Sequence, residues 1–113
     1  MQNIIITGAS HGIGRALAKK LSKKYHIINI DIVENKMDKV DFYKCDLSDK
    51  SKLLKTIEKI KTNIDSLYAL INNAALFSSK SLEKQTLEEW ENIISINLTA
   101  PYILSKEFAS MLK

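Results

Sequence analysis

Four short apolar runs punctuate the chain: residues 4–7 (IIIT), 27–30 (IINI), 42–44 (FYK) and 67–71 (LYALI). They are rich in branched and aromatic residues. Three show no apolar–polar alternation, as expected of parallel strands covered on both faces. Between the runs the period changes to that of a helix. Ile13, Leu17 and Leu21 recur at i, i+4, i+8. Leu53, Leu54, Ile57, Ile60 and Ile64 form a second stripe, for which Ser48 is the predicted N-cap. A third helix is predicted from the capping box Thr86/Glu89, with Leu87, Trp90, Ile94 and Leu98 as its buried stripe. It is expected to run to the end of the chain, bent near Pro101, the only proline.

The order strand, helix, strand, loop, strand, helix, strand, helix predicts one α/β domain. It is an open, Rossmann-like parallel sheet of about four strands with right-handed crossovers. The pattern also looks unfinished, because an apolar last strand makes a poor sheet edge and calls for a neighbour.

Composition narrows the picture only a little. The chain has 113 residues, 45% of them hydrophobic, and a formal net charge of +4. The positive residues are sixteen lysines and the single Arg15. Lysines spread along helix faces are a solvated surface rather than a nucleic-acid reader, which would favour arginine. The cluster Arg15, Lys19, Lys20, Lys23 and Lys24 reads the same way, as a helix end complementing its dipole. Cys45 stands alone and cannot form an internal disulfide, so a reducing, cytoplasmic setting is expected, with the thiol as a small buried hydrophobe. No run has membrane-spanning length, and the first strand starts too early to leave room for a signal peptide.

The three glycines, Gly8, Gly12 and Gly14, all lie within the seven positions after the first strand. A simple chain reversal needs one. Three glycines between a strand and a helix let bare backbone approach a ligand, and a helix N-terminus favours phosphate. The spacing is TGxxxGxG, from Thr7, rather than GxGxxG, since position 17 is Leu17. Asp31 ends the second run, 17 residues beyond Gly14. A carboxylate there accepts both ribose hydroxyls of a dinucleotide. It repels a 2′-phosphate by roughly 4 kcal/mol at 4 Å and an effective dielectric near 20. NAD is therefore expected in preference to NADP. Asp46-Leu47 and Asn72-Asn73-Ala74-Ala75 follow the third and fourth runs. Asparagines there would serve as ordinary turn formers, but all these segments fall on the rim where open α/β sheets bind ligands.

Taken together, TGASHGIG, Asp31, Asp46-Leu47, NNAA and INLTAPYILSK resemble the N-terminal half of the short-chain dehydrogenase/reductase family, over essentially the whole chain. The resemblance implies hydride transfer between a nicotinamide and an alcohol or carbonyl of a small molecule. It implies that Gly8, Ser10, His11, Gly12, Ile13 and Gly14 wrap the pyrophosphate and reach toward the nicotinamide. Asp46 would bond the adenine amino group with Leu47 beside the ring, and Asn73, Ala74 and Ala75 would line the middle of the cofactor. Ala75 departs from the family's usual glycine. Asn97, placed on the buried stripe of the third helix, matches the family's catalytic asparagine, which holds a water in a proton relay; a structural bond to nearby backbone is the competing role.

The family's Ser and Tyr-xxx-Lys are absent. Tyr102 and Lys106 have the right mutual spacing, but Tyr102 follows Asn97 by only five residues, and the expected serine position is Glu89. Tyr102 is expected to be a packing residue and Lys106 a surface one. Two readings stay open: a truncated, cofactor-binding portion of a dehydrogenase, or a free-standing module that senses NAD or pairs with a partner. Association into homo-oligomers, through the sheet edge or the long helix, is expected in either case.

Overall fold

The computed structural model describes residues 1–112. Strand β1 (Asn3–Thr7) leads through the glycine loop into helix α1 (Gly12–Leu21). Strands β2 (His26–Asp31) and β3 (Val40–Lys44) follow, then α2 (Lys50–Asn63) and the three-residue β4 (Ala69–Ile71). Helices α3 (Leu87–Ile94) and α4 (Ala100–Phe108) are joined by a π-helical segment, Ser95–Thr99. All strand pairs are parallel and the order is β3-β2-β1-β4, so the first strand is central.

Parallel pairing explains the unbroken apolar runs. Ile4, Ile6 and Ile27 pack under α1 with Ala9 and Ala18, while Ile5, Ile28 and Ile30 face α2 and α4. The second face is the larger, with Leu53, Ile57 and Ile60 of α2 meeting Leu104 and Phe108 of α4. Each fully buried side chain of this size contributes about 1.5–3 kcal/mol. The starts of the strands are stitched together at the opposite end from the glycine loop. The His26 ring nitrogens lie 2.7 Å from Asn3 Oδ1 and 2.8 Å from Asp41 Oδ2, and Asn3 Nδ2 donates to Ser66 O.

Several expectations are corrected. The N-cap of α2 is Asp49, whose side chain accepts from Lys52 N; Ser48 is turned to Asp46 instead. The fourth strand is shorter than its apolar run, and Leu67 forms a parallel bridge with Leu112, on a line that extends the sheet beyond β4. Where a bend is expected near Pro101, the helix changes type, and Pro101 itself sits in the first turn of α4, entered from residues that are already helical. The irregularity lies in the π segment just before it, marked by Ala100 N donating to Ser95 O.

The largest correction concerns α3. None of its residues is buried; Leu87 is 70% exposed, Trp90 53%, and Leu98 beyond it 65%. Periodicity placed these residues on one face correctly. That face is largely uncovered in this chain, with Ile94 alone half-buried. Tyr102 continues the stripe at 63% exposure and is not a packing residue, whereas Lys106 is on the surface as expected.

Candidate cofactor site

The glycine loop is fixed before any ligand is considered. Gly8 has φ +70°, and a Cβ there would lie 3.0 Å from Ala74 Cα. Gly12 has φ +58°, yet a Cβ on it would meet nothing within 4 Å, so its surroundings are open. Gly14 is required for a different reason: a Cβ would collide with Asn73 Nδ2 and the Gly8 carbonyl. One glycine serves conformation, one close packing, and Gly8 both.

The first turn of α1 has no acidic residue, and its N-cap, His11, makes no side-chain capping bond. The unpaired N–H groups and the positive dipole end therefore face the open space at Gly12, an arrangement suited to an anion. His11 and Ile13 are exposed there.

Residues from distant parts of the chain hold this loop. The buried Thr7 hydroxyl accepts from Asn73 N at 3.0 Å and Ala74 N at 2.9 Å. Asn73 Nδ2 donates to the Thr7 and Gly8 carbonyls, both at 3.1 Å. Asn73 is thus a tie between β4 and the loop as much as a lining residue. Ser10 is fully buried. Its hydroxyl donates to Val33 O and accepts from Asn29 Nδ2, and its N–H donates to Asp31 Oδ2 at 3.1 Å. The structure therefore uses Ser10 to hold the loop from beneath.

Asp31 stands at the rim, half-buried, with Oδ1 accepting from Ile32 N at 2.7 Å. Beside it opens a cavity of about 160 Å³ lined by Asp31, Asp46, Leu47, Ala74, Ala75 and neighbouring residues. Five residues singled out from three separate motifs thus meet around one hollow. Asp46 Oδ1 accepts from both the Ser48 N–H and hydroxyl, and these bonds hold its carboxyl below the usual carboxylate range. Leu47 is buried in the wall and Cys45 lies behind it, where burial pushes its thiol up and away from reactivity. A larger hollow of about 430 Å³ is lined by residues 34–38 together with Asn29, Val40 and Phe42, and by none of the motif residues.

Asn97 is placed differently from expectation. It is exposed rather than buried. Both polar ends of its side chain are used on one backbone unit, Oδ1 accepting from Leu76 N and Nδ2 donating to Leu76 O, each at 2.7 Å. It pins the segment after Ala75 to the π turn. Three residues that hold the site were not singled out from sequence: Thr7 as an acceptor, Asn29 and Asn35. The available signal was an asparagine inside an otherwise apolar strand, since a buried amide needs partners nearby.

Among the described residues no group of His, Cys, Asp and Glu is placed to hold a metal, and no helix is long and apolar enough to cross a membrane.

Comparison with known proteins agrees with the fold. An oxidoreductase of Thermotoga maritima is 35% identical over 90% of this chain and 44% of its own length. The solved structure of a 4-hydroxyisoleucine dehydrogenase complexed with NADH superposes with a TM-score of 0.90 at 30% identity, covering 97% of this chain and 49% of that one. A metagenomic short-chain oxidoreductase in complex with NADP gives 0.83 at 26% identity, covering 97% and 56%. The chain spans about half the length of the curated relatives it matches. The family model for short chain dehydrogenase matches residues 2–113, and the chain belongs to that family.

Proposed function

We propose that this chain binds NAD at the carboxyl rim of its sheet, in preference to NADP, and serves as the cofactor-binding portion of an oxidoreductase. The observation that carries the reading is an uncapped helix N-terminus whose loop is tied to two residues of the hollow's wall, Ser10 N–H to Asp31 and Gly8 against Ala74, with Asp46 and Leu47 lining the same hollow. The loop from Gly8 to Gly14, with His11 and Ile13 on its open side and Ser10 beneath, would take the pyrophosphate. Asp31 would accept the ribose hydroxyls, Asp46 and Leu47 would receive the adenine, and Asn73, Ala74 and Ala75 would line the middle. The bound nicotinamide would supply or accept a hydride, and the other reactant would be a small-molecule alcohol or carbonyl.

Asn97 would contribute by position. With its side chain committed to Leu76, it keeps the segment after Ala75 against the π turn, beside the hollow to which Leu76 also contributes. Tyr102 and Lys106 share the exposed face of α4, away from the rim cluster, and are given no catalytic role. The chain by itself is therefore proposed to bind cofactor without turning over substrate, the buried free Cys45 suiting a reducing compartment such as the cytoplasm.

A second copy of the chain is the proposed partner. Leu87, Trp90, Leu98 and Tyr102 are exposed along α3 and α4, an apolar line that a partner would cover.

Calorimetric titration with NAD and NADP tests the cofactor reading. Saturable NAD binding that weakens about 10- to 100-fold in Asp31→Ala, with no weakening of NADP, is expected from loss of charged hydrogen bonds worth about 1.5–3 kcal/mol. Absence of binding at millimolar NAD would overturn it.

A further inference from the structure

Residues of the glycine loop and those around Asp31 are joined by a repeated pattern. Asn29, Asp31 and Asn35 through their side chains, and Val33 through its carbonyl, each bond to Ala9 or Ser10. Asn29 Oδ1 accepts from Ala9 N at 2.9 Å, and its Nδ2 donates to Ser10 Oγ at 3.0 Å. Asp31 Oδ2 accepts from Ser10 N, and the Val33 carbonyl accepts from the Ser10 hydroxyl. Asn35 Nδ2 donates to Ser10 O at 2.8 Å, and Arg15 reaches the Asn35 carbonyl from α1. Only Asp31 of these positions faces the proposed cofactor hollow.

A buried amide is unfavourable unless its donors and acceptor are paired. Asn29 is only 2% exposed in a strand of isoleucines, and both its partners are in the glycine loop. Nothing about sheet formation requires an amide there. The requirement comes from the loop.

We propose that Asn29 and Asn35, acting through Ser10, are positioning residues that fix Asp31 and the backbone after it, and thereby set the preference for NAD over NADP. The inference rests on the reading of the rim as a cofactor site. A carboxylate rejects a 2′-phosphate only if it cannot turn away, and an ordinary rim aspartate can rotate. Here one oxygen is held by Ser10 N–H and the other by Ile32 N–H. Residues 33–35 cannot draw back from an added phosphate, because Val33 and Asn35 are tied to the same serine. Discrimination is built from rigidity as well as from charge.

The test is titration of this chain and of Asn35→Ala and Asn29→Leu with NAD and with NADP. In both variants NAD binding should weaken about fivefold, and the ratio of the NADP to the NAD dissociation constant should fall about tenfold. A loss shared equally by both cofactors, as from a merely structural role, would overturn the proposal, as would an unchanged ratio. Should Asn29→Leu fail to fold, Asn35→Ala decides alone, since Asn35 is half-buried and outside the core. Unmodified chain that binds neither cofactor would instead overturn the cofactor reading, and the clamp with it.

Discussion

The rim around the glycine loop and the long helical segment from α3 to α4 are built on opposite plans. At the rim, small and polar residues are buried and fully bonded: Thr7, Ser10 and Asn29 each hold two or more partners from other elements. Along the outer face of the helix, Leu87, Trp90, Leu98 and Tyr102 lie in water and the polar Asn97 is exposed, while Leu104 and Phe108 on the inner face belong to the core. The first region is held together by bonds within this chain, and the second presents an exposed apolar surface. The difference teaches that a motif's chemistry can be self-contained while its surroundings are not.

The sharpest way to break the first plan is at Gly14. Gly14→Ala should lower stability by about 3 kcal/mol, read by chemical denaturation, because the methyl must displace Asn73 and the Gly8 carbonyl together. Gly12→Ala should cost less, about 1–2 kcal/mol, from its left-handed backbone alone. A reversed order would show that Gly14 is not the packed position.

Thr7→Val comes next. It keeps shape but removes the acceptor for Ala74 N, and a stability loss of about 1–3 kcal/mol is expected. Nuclear magnetic resonance should show the amides of Asn73 and Ala74 exchanging faster; unchanged exchange would mean the tie is unimportant. On the helix the same logic predicts little. Trp90→Glu and Leu98→Lys should change monomer stability by no more than about 0.5 kcal/mol. Both should abolish any self-association seen by light scattering, and a stability loss of core size would contradict the exposed face.

These contrasts also explain how far the sequence could be read. Strands β1 and β2, the glycine loop and the rim positions of Asp31, Asp46 and Ala74 followed from local rules, because parallel pairing and strand-to-helix turns act over a few residues. The buried stripe of α3 failed for a physical reason. Hydrophobic period shows which side chains share a face, whereas burial depends on what packs there, and in this chain only Ile94 of the stripe is partly covered. Asn97 was carried into the same error. Its two bonds to Leu76 join residues 21 positions apart, which no local pattern reveals. Ser48 was misplaced by one residue because Asp49 and Ser48 are both capping types, and the neighbouring Asp46 takes the serine.

The smallest expected effect sharpens that last point. Ser48 holds the Asp46 carboxyl below its usual range, so Asp46 stays ionised as pH falls further than an ordinary aspartate would. Because the folded value is depressed, the associated stability is present above the ordinary carboxylate range and fades as pH drops through the lowered value. Ser48→Ala should move the acid limb of NAD binding to higher pH. An acid limb that does not move would separate Asp46 from the adenine end of the site.

The most direct measurement is the set of backbone amide shifts of this chain on addition of NAD. The account predicts changes confined to residues 8–14, 31–33, 46–47 and 73–76, with residues 87–94 silent. Changes centred on the exposed face of α3 and α4, or none at millimolar NAD, would contradict it.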